Sequence, residues 1–179
     1  GFSLWSGHSP LTEVDFPNLK TLTGWFEVST NYNLEKFSMP KLEYAENINF
    51  SGANPKLELV DFPLLVSAGS IGFVGNSGLN DVRFPALESV DHGISFYDTG
   101  VLDDLEFSSL ISVGDKIFIN GNLELLRFSV PLLTSSHNGI SIVNNPKLTD
   151  LCGLISAILS SPASSFQFQG LGYDPGMVS

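Results

Sequence analysis

Residues 59–96 read LVDFPLLVSAGSIGFVGNSGLNDVRFPALESVDHGISF, and this stretch contains nearly the same phrase twice. VDFPLL at 60–65 returns as VRFPAL at 82–87. Positions equivalent to the proline of this phrase recur at an almost constant interval along the chain, at Pro17, Pro40, Pro63, Pro85, Ser108 and Pro131. A fixed period of roughly 20 to 50 residues is typical of proteins built from stacked structural repeats.

Each unit contains two short stretches in which apolar residues alternate with other residues, as in VDF and ISF. This alternation predicts half-buried β-strands. Proline ends the first strand because it has no N–H to donate to a ladder, and glycine or asparagine precedes the second. One unit cannot bury its own apolar face, but stacked units can. We therefore predict an all-β, leucine-rich-repeat-like solenoid of about seven rungs of ~23 residues, with two short strands per rung.

An asparagine recurs at one corner of the unit, at Asn31, Asn54, Asn76, Asn122 and Asn145. An asparagine amide both donates and accepts, so a stack of them can satisfy corner backbone groups that no strand reaches. We interpret the column as a structural ladder, with a polar binding stripe as the alternative. Thr99 occupies the missing place and predicts a local irregularity.

The chain departs from the repeat near its C-terminus, and we predict that residues 149–179 form a capping unit within a single repeat domain spanning 1–179. Apolar residues at helical spacing predict one small amphipathic helix here: Leu151, Leu154, Ile155, Ile158 and Leu159. A last strand is expected around Phe166 and Phe168. The only cysteine, Cys152, excludes an internal disulfide and is interpreted as a small buried apolar residue.

The charge balance narrows the class of partner. The chain carries 19 acidic and 8 basic residues, for a net charge of −11. Such a chain repels phosphate backbones and anionic lipid, so we expect no nucleic-acid partner. No apolar run approaches ~18 residues, so no membrane-inserted segment is predicted.

The repeat NPKLELVDFPLLVSAGSIGFVGN (54–76) resembles receptor L domains and BspA-like leucine-rich-repeat proteins of cell surfaces. The ending NNPKLTDLCGL (144–154) looks most like bacterial members, of the kind found in Bacteroidetes. The resemblance implies an exported, surface-attached, non-catalytic binding or adhesion protein. The animal receptor domains carry cysteines that this chain lacks, which argues against a growth-factor-receptor role.

Known catalytic patterns are missing from the sequence. HExxH, CxxC and P-loop motifs are absent, and His8, His92 and His137 fall in corners that form no column. We therefore predict no enzyme, no cofactor and no metal site.

Candidate binding residues come from the outward positions. On the first strand, Asp61, Arg83 and Glu106 share a column that also holds Asp15, and Arg83 is expected to pair across strands. Asp103 and Asp104 are expected to lie in line with Asp81. On the second strand, the apolar side chains Val74, Tyr97 and Phe118 are the candidates for contact with protein or sugar.

We expect a monomeric, exported surface module that binds protein or glycan on a host or neighbouring cell, with a lipid anchor carried by a segment before residue 1 as one means of attachment. Two alternatives stay open. The stacked carboxylates could belong to a solenoid glycan hydrolase or lyase, or the rod could be a structural spacer.

Overall fold

In the computed structural model, residues 1–151, 154 and 166–171 are described, and they form a parallel β-solenoid of about seven turns. Each turn of the solenoid is one repeat of the sequence, so every strand pairs in parallel with its equivalent in the next turn. The predicted fold class and period are thereby confirmed. The strands form three faces around one apolar interior.

The strand containing the VDF phrase builds a face that we call the acidic face, from β2 (Glu13–Asp15), β5 (Lys36–Ser38), β8 (Leu59–Asp61), β11 (Asp81–Arg83), β14 (Asp104–Glu106) and β17 (Arg127–Ser129). The strands that contain the ISF-like segments build an eight-stranded sheet, the broad face, from β1 (Phe2–Leu4), β4 (Phe26–Ser29), β7 (Ile48–Ser51), β10 (Ile71–Val74), β13 (Ile94–Tyr97), β16 (Ile117–Asn120), β19 (Ile140–Asn145) and β20 (Phe166–Leu171).

A third strand per turn was not predicted from the sequence. It is two residues long and lies between the other two, forming a middle face from β3 (Thr21–Leu22), β6 (Tyr44–Ala45), β9 (Ser67–Ala68), β12 (Ser89–Val90), β15 (Ser112–Val113) and β18 (Ser135–Ser136). Two residues are too few to show alternation, so periodicity could not identify these strands. The cross-section is therefore three-sided.

Phenylalanine rings fill much of the interior and stack along the axis of the solenoid. Phe73 lies between Phe50 and Phe96, with ring centroids 4.9 and 4.8 Å away and nearly parallel planes. Phe84 makes edge-on contact with Phe73 at 6.3 Å, joining the broad and acidic faces. All four rings are essentially inaccessible to solvent. Burying one such side chain contributes about 1.5–3 kcal/mol, so the repeated phrase builds the core.

The asparagines lie in one buried column at the corner after the broad face. Asn54 donates Nδ2 to Oδ1 of Asn76 over 2.8 Å, and the backbone N–H of Asn122 donates to Oδ1 of Asn145 over 3.0 Å. Each Nδ2 also donates to a carbonyl of the preceding turn, as Asn76 does to Phe50 at 2.9 Å. These bonds satisfy backbone groups that the strands leave open.

The acidic face is interrupted in the turn that contains Thr99. Strands β2, β5, β8 and β11 form one ladder, whereas β14 and β17 form a separate pair. The broad and middle faces continue through the same region. The sequence irregularity at Thr99 thus coincides with an opening between β11 and β14.

At the C-terminal end, β20 pairs with β19 in parallel, with Phe166 opposite Ile140 and Phe168 opposite Ile142. The strand expected around Phe166 and Phe168 is therefore present. The predicted helix and Cys152 lie mostly outside the described residues, although Leu154 is described as helical and buried. No helix in the described part of the chain has the length and apolar character needed to cross a membrane.

Candidate functional site

The broad face presents two rows of outward side chains. One row runs through Glu27, Asn49, Gly72, Ser95, Phe118 and Ser141, which are joined in register. A second row, two positions further along the strands, includes Val74, Tyr97, Asn120 and Val143. Because parallel strands lie about 4.8 Å apart, successive members of a row are neighbours on a nearly flat surface.

A shallow groove crosses the first row, and we call it the Phe118 groove. Its volume is about 270 Å³, and its lining includes Asn47, Asn49, Gly72, Ser95, Lys116 and Phe118. Gly72 forms the low point because it has no side chain. A Cβ built there would lie 3.4 Å from both Asn49 Oδ1 and Ser95 Oγ. Polar atoms of Asn49 and Ser95 therefore lie on either side of the floor at Gly72, and Phe118 lies at one end of the groove.

Several polar groups in this groove have no protein partner among the described residues. The Asn49 amide and the Ser95 hydroxyl make no side-chain hydrogen bond there, unlike Glu27, which accepts from Ser51 over 2.7 Å. At the groove's edge, Asn47 donates Nδ2 to Ser70 Oγ over 2.7 Å, while its Oδ1 is buried without a described partner. Buried polar atoms are usually satisfied by protein, water or ligand.

Phe118 and Lys116 stand together at the groove's end. The Lys116 ammonium lies 6.0 Å from the centroid of the Phe118 ring. That distance is at the outer limit of a cation–π interaction. Among the described residues, no carboxylate forms a salt bridge with Lys116.

The other apolar candidates lie beside the groove rather than in it. Val74 and Tyr97 are paired in register on β10 and β13, and each side chain is 40% exposed. Phe118 is partly buried and belongs to the other row. The structure therefore places all three on the broad face, with Val74 and Tyr97 as direct neighbours and Phe118 one strand away.

The acidic-face candidates are arranged differently from the expected column. Asp61 lies opposite Arg83 in register, but the Arg83 guanidinium forms its salt bridge with Asp81 on its own strand. Glu106 belongs to the separate pair β14–β17 and accepts from Arg127 over 2.7 Å. The expected salt bridge of Arg83 across strands is therefore not formed, and its bond lies within β11, although Asp61 faces it in register.

The opening between β11 and β14 forms a second groove of about 260 Å³, lined in part by Asp81, Arg83, Asp104 and Glu106. Partial burial raises the pKa of Asp104 above its usual range, against the opposing attraction of Arg127. Partial burial likewise raises the pKa of Asp61, with Arg83 opposing. Asp104 is the register equivalent of Asp81, whereas Asp103 precedes the strand.

Among residues 1–151, 154 and 166–171, no group of three or more histidine, cysteine, aspartate or glutamate side chains is placed to hold a metal ion. His8 stacks on Tyr32 with ring centroids 4.6 Å apart. His137 lines a shallow depression on the middle face, next to Asp91 and Ser112.

Lys116, Gly72 and Arg127 were not predicted from the sequence as site residues. Lys116 directly precedes β16, at the position that Asn47, Ser70 and Gly93 occupy in other turns, and it lies two residues before Phe118, so the period could have placed it beside Phe118. Gly72 occupies the same position of its strand as Phe118, but the importance of a missing side chain appears only when its neighbours are placed. Arg127 is the register equivalent of Asp104, so the period could have identified it as a partner.

Two known proteins are similar in sequence to this chain. It is 27% identical over 147 residues to a cell surface GPI-anchored protein of Arthroderma benhamiae, and the match covers 82% of this chain and 36% of that protein. It is 25% identical over 180 residues to sporulation-specific protein 22 of Saccharomyces cerevisiae, and the match covers 79% of this chain and 39% of that protein. The chain thus spans less than half the length of either relative.

No protein-family profile matches the chain. No solved structure matches it either.

Proposed function

We propose that this chain is a non-enzymatic binding module displayed at a cell surface, and that the broad face is its contact surface. The observation that carries the proposal is the placement of two exposed apolar residues, Val74 and Tyr97, beside a groove with unpaired polar groups on one rigid sheet. A similar protein is described as cell surface and GPI-anchored, which supports the location.

The repeat scaffold suits this role physically. Core ladders and the asparagine column hold the broad face in a fixed shape, so a partner meets a preorganised surface and little conformational entropy is lost on binding. Outward positions differ from turn to turn while inward ones repeat. Specificity therefore depends on residues such as Val74, Tyr97 and Phe118.

The proposed kinship with receptor L domains and BspA-like proteins stays a prediction, because neither relative's name refers to them. Both relatives are fungal, so the bacterial affinity of the ending also stays a prediction.

Binding of fluorescently labelled protein to intact cells, measured by flow cytometry, tests the proposal. We expect the double variant Val74→Ala/Tyr97→Ala to lose most of the binding, and Leu132→Ala to retain it. Leu132 is a matched control because it is an apolar side chain, 55% exposed, outside the broad face. Equal binding by the parent and both variants would show that the broad face is not the contact surface.

A second candidate function is a glycan hydrolase or lyase centred on the acidic groove. The groove beside Asp104 and Glu106 and the raised pKa of Asp104 favour it, whereas the salt bridges from Arg127 to both carboxylates favour a structural role. Incubation with oligosaccharides and measurement of new reducing ends or unsaturated products distinguishes the two. Turnover that disappears in Glu106→Gln would establish the enzyme and contradict the non-enzymatic proposal.

A further inference from the structure

We infer that the Phe118 groove binds a neutral glycan, with one pyranose ring stacked on Phe118 and its hydroxyl groups bonded to Asn49 and Ser95. This inference rests on the proposed function and specifies its ligand class. It depends on three features of the groove: an aromatic end wall, unpaired neutral polar groups and its extended shape.

The aromatic wall explains why a sugar suits this site. One face of a pyranose ring carries C–H groups and is apolar, so it packs on an aromatic ring and removes both surfaces from water. Phe118 is the only aromatic residue of its row in β4, β7, β10, β13, β16 and β19, where the other members are polar or glycine. It is partly exposed toward the groove that it lines.

The polar floor supplies what the hydroxyl groups of a sugar need. Asn49 offers a carbonyl oxygen and an NH₂ group, and Ser95 offers a hydroxyl that both donates and accepts. Neither side chain is engaged by a described protein group, and the two converge over Gly72 at 3.4 Å from the position of its absent Cβ. Groups that are free and already positioned bind a ligand without first breaking protein hydrogen bonds.

The shape of the groove indicates a chain of sugars rather than a compact ligand. Its lining comes from β7, β10, β13 and β16, which are four neighbouring strands. Three spacings of about 4.8 Å give a length of about 14 Å. A shallow surface of this length matches a linear oligosaccharide lying across the strands.

Charge selects a neutral glycan over an acidic one. The net charge of −11 repels polyanions at long range. Among the described residues that line the groove, Lys116 is the only one with a charged side chain, and its three N–H groups can donate to sugar hydroxyl oxygens as well as to carboxylates.

Isothermal titration calorimetry of the whole chain with neutral hexasaccharides of glucose, mannose and N-acetylglucosamine, and with a hexa-uronic acid, tests this inference. We expect at least one neutral hexasaccharide to bind, with a Kd about tenfold or more higher for Phe118→Ala. Gly72→Val fills the floor of the groove and should abolish binding. Because valine is a better strand residue than glycine, this variant should unfold at the same or a higher temperature, so loss of binding cannot be ascribed to misfolding.

Leu132→Ala should bind the hexasaccharide as the parent does. Binding that is unchanged in Gly72→Val and Phe118→Ala, binding of the hexa-uronic acid alone, or no binding of any hexasaccharide would overturn the inference. If cell binding depends on Val74 and Tyr97 but survives Gly72→Val, the proposed function stands and the glycan groove is wrong. If every broad-face variant binds cells as the parent does, the proposed function itself is wrong.

Discussion

Thr99 donates its hydroxyl hydrogen to Oδ1 of Asn122 over 2.6 Å, in a buried column whose other places hold asparagine. The Thr99 backbone N–H donates to the same oxygen over 3.0 Å. Threonine has no amide oxygen to present to the preceding turn, so the continuous series of side-chain bonds along the column stops between Asn76 and Thr99. The acidic face separates into two ladders in the same turn.

Thr99→Asn should restore the missing bond to Asn76. We expect the free energy of unfolding to rise by about 0.5–1.5 kcal/mol, which is the usual net contribution of one buried hydrogen bond. Chemical denaturation with urea measures this change. A decrease would show that the corner at Thr99 has a shape that asparagine cannot adopt.

Asn122→Ala should be strongly destabilising. Its amide accepts from Thr99 and donates to the carbonyl of Phe96 and to Oδ1 of Asn145. Loss of these bonds leaves several buried groups unsatisfied at about 1–3 kcal/mol each, so we expect a loss of about 3 kcal/mol or more. Asn18→Ala is the matched control, since Asn18 is exposed and its side chain accepts from Lys41 at the surface. Equal losses from both variants would contradict a structural role for the column.

Gly100→Ala should cost more stability than Gly7→Ala. Both glycines have positive φ, at 68° and 55°, so each substitution carries a backbone penalty of about 1–2 kcal/mol. A Cβ at Gly100 would also overlap the carbonyl oxygen of Ser77, whereas a Cβ at Gly7 meets nothing within 4 Å. Thermal unfolding compares the two, and a similar decrease in Tm would mean that the corner at Gly100 relaxes freely.

Asp61→Asn should stabilise the protein at neutral pH and not at low pH. Partial burial raises the pKa of Asp61 above 3.8 in the folded state, so folding favours the protonated form. The stability linked to this group is therefore present below the unfolded pKa and is lost as pH rises through the folded pKa. Asparagine is neutral at every pH, so the variant does not lose this stability when the pH rises. Urea unfolding of the parent and of Asp61→Asn at pH 7 and pH 3 measures the change in the free energy of unfolding. A larger stabilisation at pH 3 than at pH 7 would show that the pKa of Asp61 is lowered, not raised, by folding.

The constant period of the repeat was enough to predict the solenoid, because each inward residue of the unit, such as Val60 or Phe62, recurs with the same chemistry and is buried. The strand around Phe166 was predictable for the same reason. The two-residue strands, such as Ser67–Ala68, were not, since they have no period of their own.

The candidate site was only partly predictable. The period of the sequence places Phe118 at the same position of its repeat as Asn49, Gly72 and Ser95, and in the structure these residues form one row. Which side chains remain unpaired, and where a groove opens, depend on contacts that no period describes. Asn49 shows this most clearly, because its place in the row follows from the period, whereas the absence of a described partner for its amide does not.

A ¹⁵N NMR titration of the whole chain with the neutral hexasaccharide that binds most tightly would locate the binding surface residue by residue. We predict shift changes confined to the broad face, strongest in the backbone amides of β7, β10, β13 and β16 and in the side-chain amide of Asn49. Shift changes centred on Asp104, Glu106 and Arg127 instead, or none at millimolar hexasaccharide, would contradict the assignment of the broad face as the binding surface.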